Sequence, residues 1–93
     1  MDKVLVLFTM NGCSFCEQFK TKLNENNIDF VNRDIHENKE EYDMFVKATG
    51  NDFVPSFMII ESPNENPVSH LYAPGRDYQD LDKAVSIIKE HVG

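Results

Sequence analysis

The sequence has 93 residues, of which 41% are hydrophobic and 11% aromatic, and these values fit one compact domain spanning residues 1–93. Its apolar runs are far shorter than the ~18 residues a membrane helix needs, and its net charge of −7 repels nucleic acid and anionic lipid. We therefore expect no nucleic-acid or membrane partner, and the N-terminus, unlike a secretory leader, favours a cytoplasmic protein.

The first predicted unit is a strand followed by a helix. Val4–Phe8 is a continuous branched and aromatic run, typical of a strand buried on both faces, and Asn11-Gly12 then signals a turn. From Cys16 onward apolar residues recur at helical spacing. This pattern predicts a first helix that begins near Cys13.

A second strand and a second helix follow. Alternating residues predict a strand over residues 28–34. A charged segment that opens at His36 or Asn38 carries apolar residues on one helical face, and Gly50 stands where a C-terminal cap is expected.

The remainder predicts a hairpin and a last helix. Residues 53–61 and 68–73 are rich in strand-forming side chains, and the turn cluster 62–67 separates them. Asp77 is predicted to cap an amphipathic helix that reaches Val92.

The predicted order β-α-β-α-β-β-α indicates an α/β fold with one mixed four-stranded sheet and three helices. Crossover helices join two parallel strands, and the hairpin adds the antiparallel pair. Cys13 and Cys16 then lie at the carboxyl end of the first strand, an edge where ligand chemistry is common in open α/β sheets.

Cys13 and Cys16 are the only two cysteines, and their spacing fits redox chemistry. A thiol attacks disulfides as thiolate, and a helix N-terminus lowers a thiol pKa. Cys13 is therefore the predicted nucleophile, and Cys16, on the apolar face, is the predicted resolving thiol. A zinc half-site and two inert core thiols remain alternatives, although the three histidines show no metal-ligand spacing and are assigned no chemistry.

The sequence resembles the glutaredoxins, within the thioredoxin-like superfamily. CSFC stands where glutaredoxins carry Cys-Pro-Tyr-Cys, FVP where they carry Thr-Val-Pro, and PGRD where they carry a Gly-Gly pair with an Asp soon after. The resemblance implies a thioredoxin-like fold and a monomeric, glutathione-dependent disulfide oxidoreductase without a metal or tightly bound cofactor. Glutathione would be the co-substrate. Disulfide-containing or glutathionylated proteins would be the targets, with ribonucleotide reductase as a family-typical example.

The resemblance also implies substrate-binding residues around the motif. The Val54-Pro55 bond should be cis and face the reactive sulfur, with the Val54 backbone free to pair with a bound peptide. The start of the last helix should hold a glutathione carboxylate. The predicted binding residues are Ser14, Phe15, Phe53, Val54, Pro55, Arg76 and Asp77.

Some residues depart from the glutaredoxin pattern. Met10 stands where a Lys or Arg is common, and Asp52 adds negative charge before FVP. The segment Tyr72–Glu90 also resembles the thioredoxin and protein disulfide isomerase pattern. The alternatives are therefore a short thioredoxin reduced by a flavoprotein reductase, and a non-enzymatic iron–sulfur or metal-binding module.

Overall fold

The structure, a computed structural model, describes residues 3–62 and 66–92. It confirms the predicted order of strands and helices, and part of the predicted turn at 62–67 lies outside the described residues. The elements in chain order are β1 (Lys3–Thr9), α1 (Ser14–Glu25), β2 (Val31–Asp34), α2 (Lys39–Thr49), β3 (Ser56–Glu61), β4 (Val68–Tyr72) and α3 (Leu81–Val92).

The four strands form one mixed sheet in the order β2-β1-β3-β4. β1 and β2 are parallel, whereas β1–β3 and β3–β4 are antiparallel. This is the predicted mixed α/β sheet. Because β1 lies inside the sheet, its carboxyl end opens between β2 and β3, and α1 starts directly above it.

Helices cover both faces of the sheet, so β1 is buried on both sides as its continuous apolar run predicts. Leu5 and Leu7 pack on what we call the α1/α3 face, with apolar residues of those two helices. Val6 and Phe8 pack on the α2 face. Phe8 is fully buried there, and burial of such a side chain contributes about 1.5–3 kcal/mol.

Several strand boundaries differ from the prediction, and β1 extends one residue beyond the predicted Val4–Phe8 at each end. β2 begins at Val31, three residues later than predicted, because the Ile28 N–H donates to the Leu23 carbonyl and so completes the end of α1. β3 begins at Ser56 instead of Phe53, because proline has no N–H for the ladder. β4 ends at Tyr72, one residue earlier than predicted.

The predicted start of the last helix was wrong. α3 begins at Leu81, and its cap is Asp80, whose carboxylate accepts from the Lys83 N–H at 2.8 Å. Asp77 instead accepts from the Ala73 N–H at 2.8 Å. The reason is a turn before the helix, in which Gly75 takes a left-handed φ of 81°.

The second helix agrees with the sequence pattern. α2 begins after Asn38 and ends at Gly50, which has a left-handed φ of 70° and donates to the Val46 carbonyl. Within residues 3–62 and 66–92, no helix has the length and apolar content needed to cross a membrane.

Candidate active site

Cys13 and Cys16 form a disulfide at the point where the chain leaves β1 and enters α1. Their Cα atoms are 5.2 Å apart. Cys13 is the N-cap residue of α1 and is partly exposed, while Cys16, one turn further, is 0% exposed. The burial therefore agrees with the predicted division into an accessible nucleophile and a shielded resolving thiol.

The backbone of α1 favours negative charge on the Cys13 sulfur. Cys13 has an extended conformation, and its Sγ accepts from the Cys16 N–H at 3.1 Å. The first N–H groups of a helix have no partner within the helix, and the aligned peptides place partial positive charge there. In the reduced protein these groups would stabilise a Cys13 thiolate over the thiol.

The sheet brings Val54 and Pro55, which we call the proline loop, to the same edge of the sheet as Cys13. Phe8 pairs with Ser56 across β1 and β3, so Pro55, which precedes Ser56, lies beside the carboxyl end of β1. The Val54-Pro55 bond is cis, which confirms the prediction. Within the part of the chain that the structure describes, the N–H and C=O of Val54 make no hydrogen bond, as the predicted pairing with a substrate strand requires.

A cleft with a volume of ≈ 420 Å³ extends from the proline loop to the start of α3. Its apolar part is formed by Phe15, Val54, Pro55, Pro74, Tyr78 and Leu81. The cleft therefore combines two of the predicted peptide-binding features, the proline loop and an aromatic side chain from the CSFC motif.

Tyr78 also lines the cleft, and its role was not predicted from the sequence. Its hydroxyl donates to the Pro55 carbonyl at 2.5 Å, and its ring stacks on Phe57 with centroids 5.5 Å apart. Burial raises the pKa of the Tyr78 phenol far above its usual value. No local motif marks this tyrosine, because its partner lies 23 positions away in the chain.

Two of the predicted binding residues are aromatic and exposed, but only one of them lines the cleft. Phe15 is 61% exposed and Phe53 is 65% exposed. Phe15 contributes to the cleft wall, whereas the described cleft lining does not include Phe53. Ser14, the first residue of α1, is exposed beside Cys13.

Arg76 and Asp77 are not at a helix start and do not line the cleft. Arg76 Nη1 donates to Asp77 Oδ2 at 3.0 Å, so the two side chains pair with each other. The predicted carboxylate-binding role loses the helix N-terminus on which it depended. The charged residues that border the cleft at the start of α3 are both acidic, namely Asp80 and Asp82.

The cleft has one basic residue in its lining, Lys22. Its ammonium group pairs with Asp82 at 2.9 Å, and this hydrogen bond raises the pKa of Lys22. Lys22 thus balances the charge of Asp82 alone, because the Asp80 carboxylate accepts a hydrogen bond from a backbone N–H. The lining therefore carries an excess of negative charge.

Comparisons with known proteins identify the family of the chain. A family model described as Glutaredoxin matches residues 5–61. The N-acetyl-S-hydroxy-L-cysteine reductase of Bacillus subtilis (strain 168) is 30% identical over 77 residues, covering 83% of this chain and 80% of that protein. A solved structure titled "Structure of a malarial protein" aligns over 100% of both chains with a TM-score of 0.55 and 11% identity, which supports the fold alone. The chain belongs to the glutaredoxin family, has its thioredoxin-like fold, and is a thiol–disulfide oxidoreductase.

Proposed function

We propose that this protein reduces protein disulfides or glutathione mixed disulfides through Cys13 and Cys16, with glutathione as the electron donor. The observation that carries the proposal is the position of the pair. Cys13 is the N-cap of α1, and its sulfur accepts a hydrogen bond from the Cys16 N–H, whereas the Cys16 side chain is fully buried.

In the first step the Cys13 thiolate attacks one sulfur of the substrate disulfide. A bond forms between Cys13 Sγ and that sulfur, and the other substrate sulfur leaves as a thiolate that takes up a proton. The Cys16 N–H, 3.1 Å from Cys13 Sγ, stabilises the attacking thiolate.

In the second step Cys16 resolves the mixed disulfide. After losing its proton, Cys16 attacks Cys13 Sγ, the internal disulfide forms, and the bound substrate half leaves as a thiol. Because Cys16 is 0% exposed, external disulfides have no direct path to it. Two molecules of glutathione would then return the pair to the dithiol state while forming one glutathione disulfide.

The cleft would hold the substrate next to Cys13. An extended peptide can pair with the free backbone of Val54, as a short added strand, while an apolar side chain packs against Phe15. This mode of recognition needs few side-chain contacts. It fits a protein that acts on several disulfides and, among them, on glutathionylated thiols.

The most informative test is Cys16→Ser assayed with glutathione. Removal of a glutathionyl group needs only Cys13, because a second glutathione resolves the mixed disulfide, whereas reduction of a protein disulfide through the dithiol route needs Cys16. We expect the variant to keep most of its deglutathionylation activity and to lose protein-disulfide reduction.

Two outcomes would overturn the proposed function. A wild-type protein that ignores glutathione but turns over with a flavoprotein reductase would be a short thioredoxin. An inactive protein purified with iron or zinc on Cys13 would be a metal-binding module.

A second substrate class is favoured by the Bacillus subtilis relative, whose name describes reduction of a cysteine derivative hydroxylated on sulfur. Here we propose that Cys13 attacks the sulfur of such a sulfenic acid and displaces hydroxide, which leaves as water after protonation. Cys16 then releases the thiol and forms the internal disulfide. Turnover of N-acetyl-S-hydroxy-L-cysteine faster than that of a glutathione mixed disulfide would make this the preferred reaction.

A further inference from the structure

A second cluster of reactive side chains lies away from the cysteines. Glu61, His70 and His91 each offer one possible metal-ligand atom, and these atoms all lie within 4.8 Å of one another. All three residues are partly buried. The sequence pattern does not point to this cluster, because 20 intervening residues separate His70 from His91.

The sheet register explains why the three residues meet. Glu61 is two residues after Ile59 and so shares its face, and His70 pairs directly with Ile59 on β4. Ile59 is buried on the α1/α3 face. His91, in the last turn of α3, comes down onto this same face.

Hydrogen bonds orient the three side chains. His70 Nε2 lies 3.2 Å from Glu61 Oε2, and His91 Nε2 lies 2.6 Å from the Tyr72 hydroxyl. The two imidazole rings tilt against each other with centroids 4.9 Å apart. The side chains of Glu61, His70 and His91 therefore face one another, and the Tyr72 hydroxyl lies at the edge of this cluster.

This cluster lies at the other end of the sheet from the redox site. β3 starts beside Pro55 and ends at Glu61, and its five residue steps correspond to about 17 Å. A ligand held at Glu61 would not block the cleft at Cys13.

Two imidazoles and one carboxylate are a donor set that suits a divalent transition-metal ion, with water in the remaining position. Metal bonds of 2.0–2.2 Å in tetrahedral geometry place ligand atoms about 3.3–3.5 Å apart. Small side-chain rotations would bring the three atoms from their present separation to that distance. We propose that Glu61, His70 and His91 bind a divalent transition-metal ion such as Zn²⁺ and so fasten the end of α3 to β3 and β4.

The charges around the cluster both help and oppose the binding. Hydrogen bonds from His70 and Lys3 lower the pKa of Glu61, so its carboxylate is ionised at neutral pH. The Lys3 ammonium, 3.2 Å from Glu61, also donates to the His91 carbonyl and would repel a cation. Metal binding must therefore displace this ammonium from Glu61, and removal of its charge should strengthen the binding.

The test is a calorimetric titration of the full chain with Zn²⁺ at neutral pH. The protein is kept oxidised, because the Cys13–Cys16 disulfide removes the thiols that would otherwise bind zinc. We expect one Zn²⁺ per chain. His70→Ala and His91→Ala should each weaken the binding at least ~10-fold, and Lys3→Met should strengthen it.

His36→Ala is the matched control, because His36 is an exposed histidine outside the cluster. It should leave the affinity unchanged, and Zn²⁺ should shift the ring-proton NMR signals of His70 and His91 but not those of His36. Because the NMR shifts are recorded on the wild-type protein, they test the proposal even if one of the variants folds poorly. No binding up to millimolar Zn²⁺, or binding that survives the His70→Ala/His91→Ala double variant, would overturn it.

Discussion

The hydroxyl of Tyr78 donates a hydrogen bond to the carbonyl oxygen of Pro55 and so joins the segment before α3 to the proline loop. Both residues line the cleft, and both are buried. This contact joins two chain segments that line the cleft together with Phe15. The shape of the cleft therefore depends on a residue that takes no part in the thiol chemistry.

Tyr78→Phe should lower the free energy of unfolding by about 1–3 kcal/mol, because it leaves the buried Pro55 carbonyl without its partner. Urea denaturation measures the change. The control is Tyr42→Phe, since the Tyr42 hydroxyl is also buried but has no hydrogen-bond partner in the described structure. We expect that variant to be neutral or slightly stabilised, and equal losses in both variants would contradict the role of the Tyr78 contact.

The same tyrosine should make the protein sensitive to alkali. Burial raises the pKa of folded Tyr78 above the value of 10.0 expected for the unfolded chain. A group with a raised pKa in the folded state contributes stability that is complete below the unfolded value and is lost as the pH rises above it. Between pH 9 and pH 11, wild-type stability should therefore fall more steeply than that of Tyr78→Phe, as measured by urea denaturation at each pH. Parallel slopes would contradict this prediction.

In the reduced protein Cys13 should be the more acidic thiol. Its position at the N-terminus of α1 should lower the pKa of the Cys13 thiol below the usual value for cysteine, while apolar burial should keep Cys16 protonated to higher pH. Alkylation should thus modify Cys13 first, with a rate that rises with pH through the Cys13 pKa and then levels off. Peptide mapping of the labelled protein identifies the modified residue. Equal labelling of both cysteines at neutral pH would reverse the roles assigned to them.

The redox pair and the fold could be predicted because their signals are local. The strand, the turn and the helical spacing around CSFC place Cys13 at a helix start, and Val54-Pro55 is a short motif at a strand start. Strand ends were less accurate, since the sequence does not show where a helix end or a proline interrupts the pairing. The error at Asp77 has a different origin, because either Asp77 or Asp80 could cap a helix by residue type.

The contacts between distant segments could not be predicted. Tyr78 meets Pro55, and His70 meets His91, only because the sheet register and the last helix bring them together. Each of these residues looks ordinary in its own segment. A sequence pattern with a period of two or of 3.6 reports which face a residue occupies, but not which residue of another element faces it.

The acidic border of the cleft should weaken the binding of anionic substrates such as glutathione mixed disulfides. Asp80→Asn removes a charge but keeps an equally good helix cap, so stability should change little. We expect KM for a glutathionylated peptide to fall by up to about 5-fold, the factor that corresponds to ~1 kcal/mol for an exposed charge. Steady-state kinetics at low salt measures this change in KM.

The control is Asp43→Asn, which changes the net charge equally on the exposed side of α2 and should leave KM unaltered. The same decrease in both variants would assign the effect to net charge instead of to the cleft.

Phe15 and Phe53 offer a matched pair for locating the substrate. Both side chains are largely exposed, so Phe15→Ala and Phe53→Ala should each change stability only slightly. Phe15 lines the cleft, and the described lining does not include Phe53, so loss of the Phe15 ring should remove the larger apolar contact with a bound peptide. We expect Phe15→Ala to lower kcat/KM for a peptide disulfide by about 5- to 30-fold, the range that 1–2 kcal/mol of lost contact corresponds to, and Phe53→Ala to lower it less. A small dialkyl disulfide, too short to reach the Phe15 ring, is the control substrate and should react equally fast with both variants. A larger decrease in kcat/KM for Phe53→Ala than for Phe15→Ala would contradict this prediction and place the bound peptide near Phe53, outside the cleft.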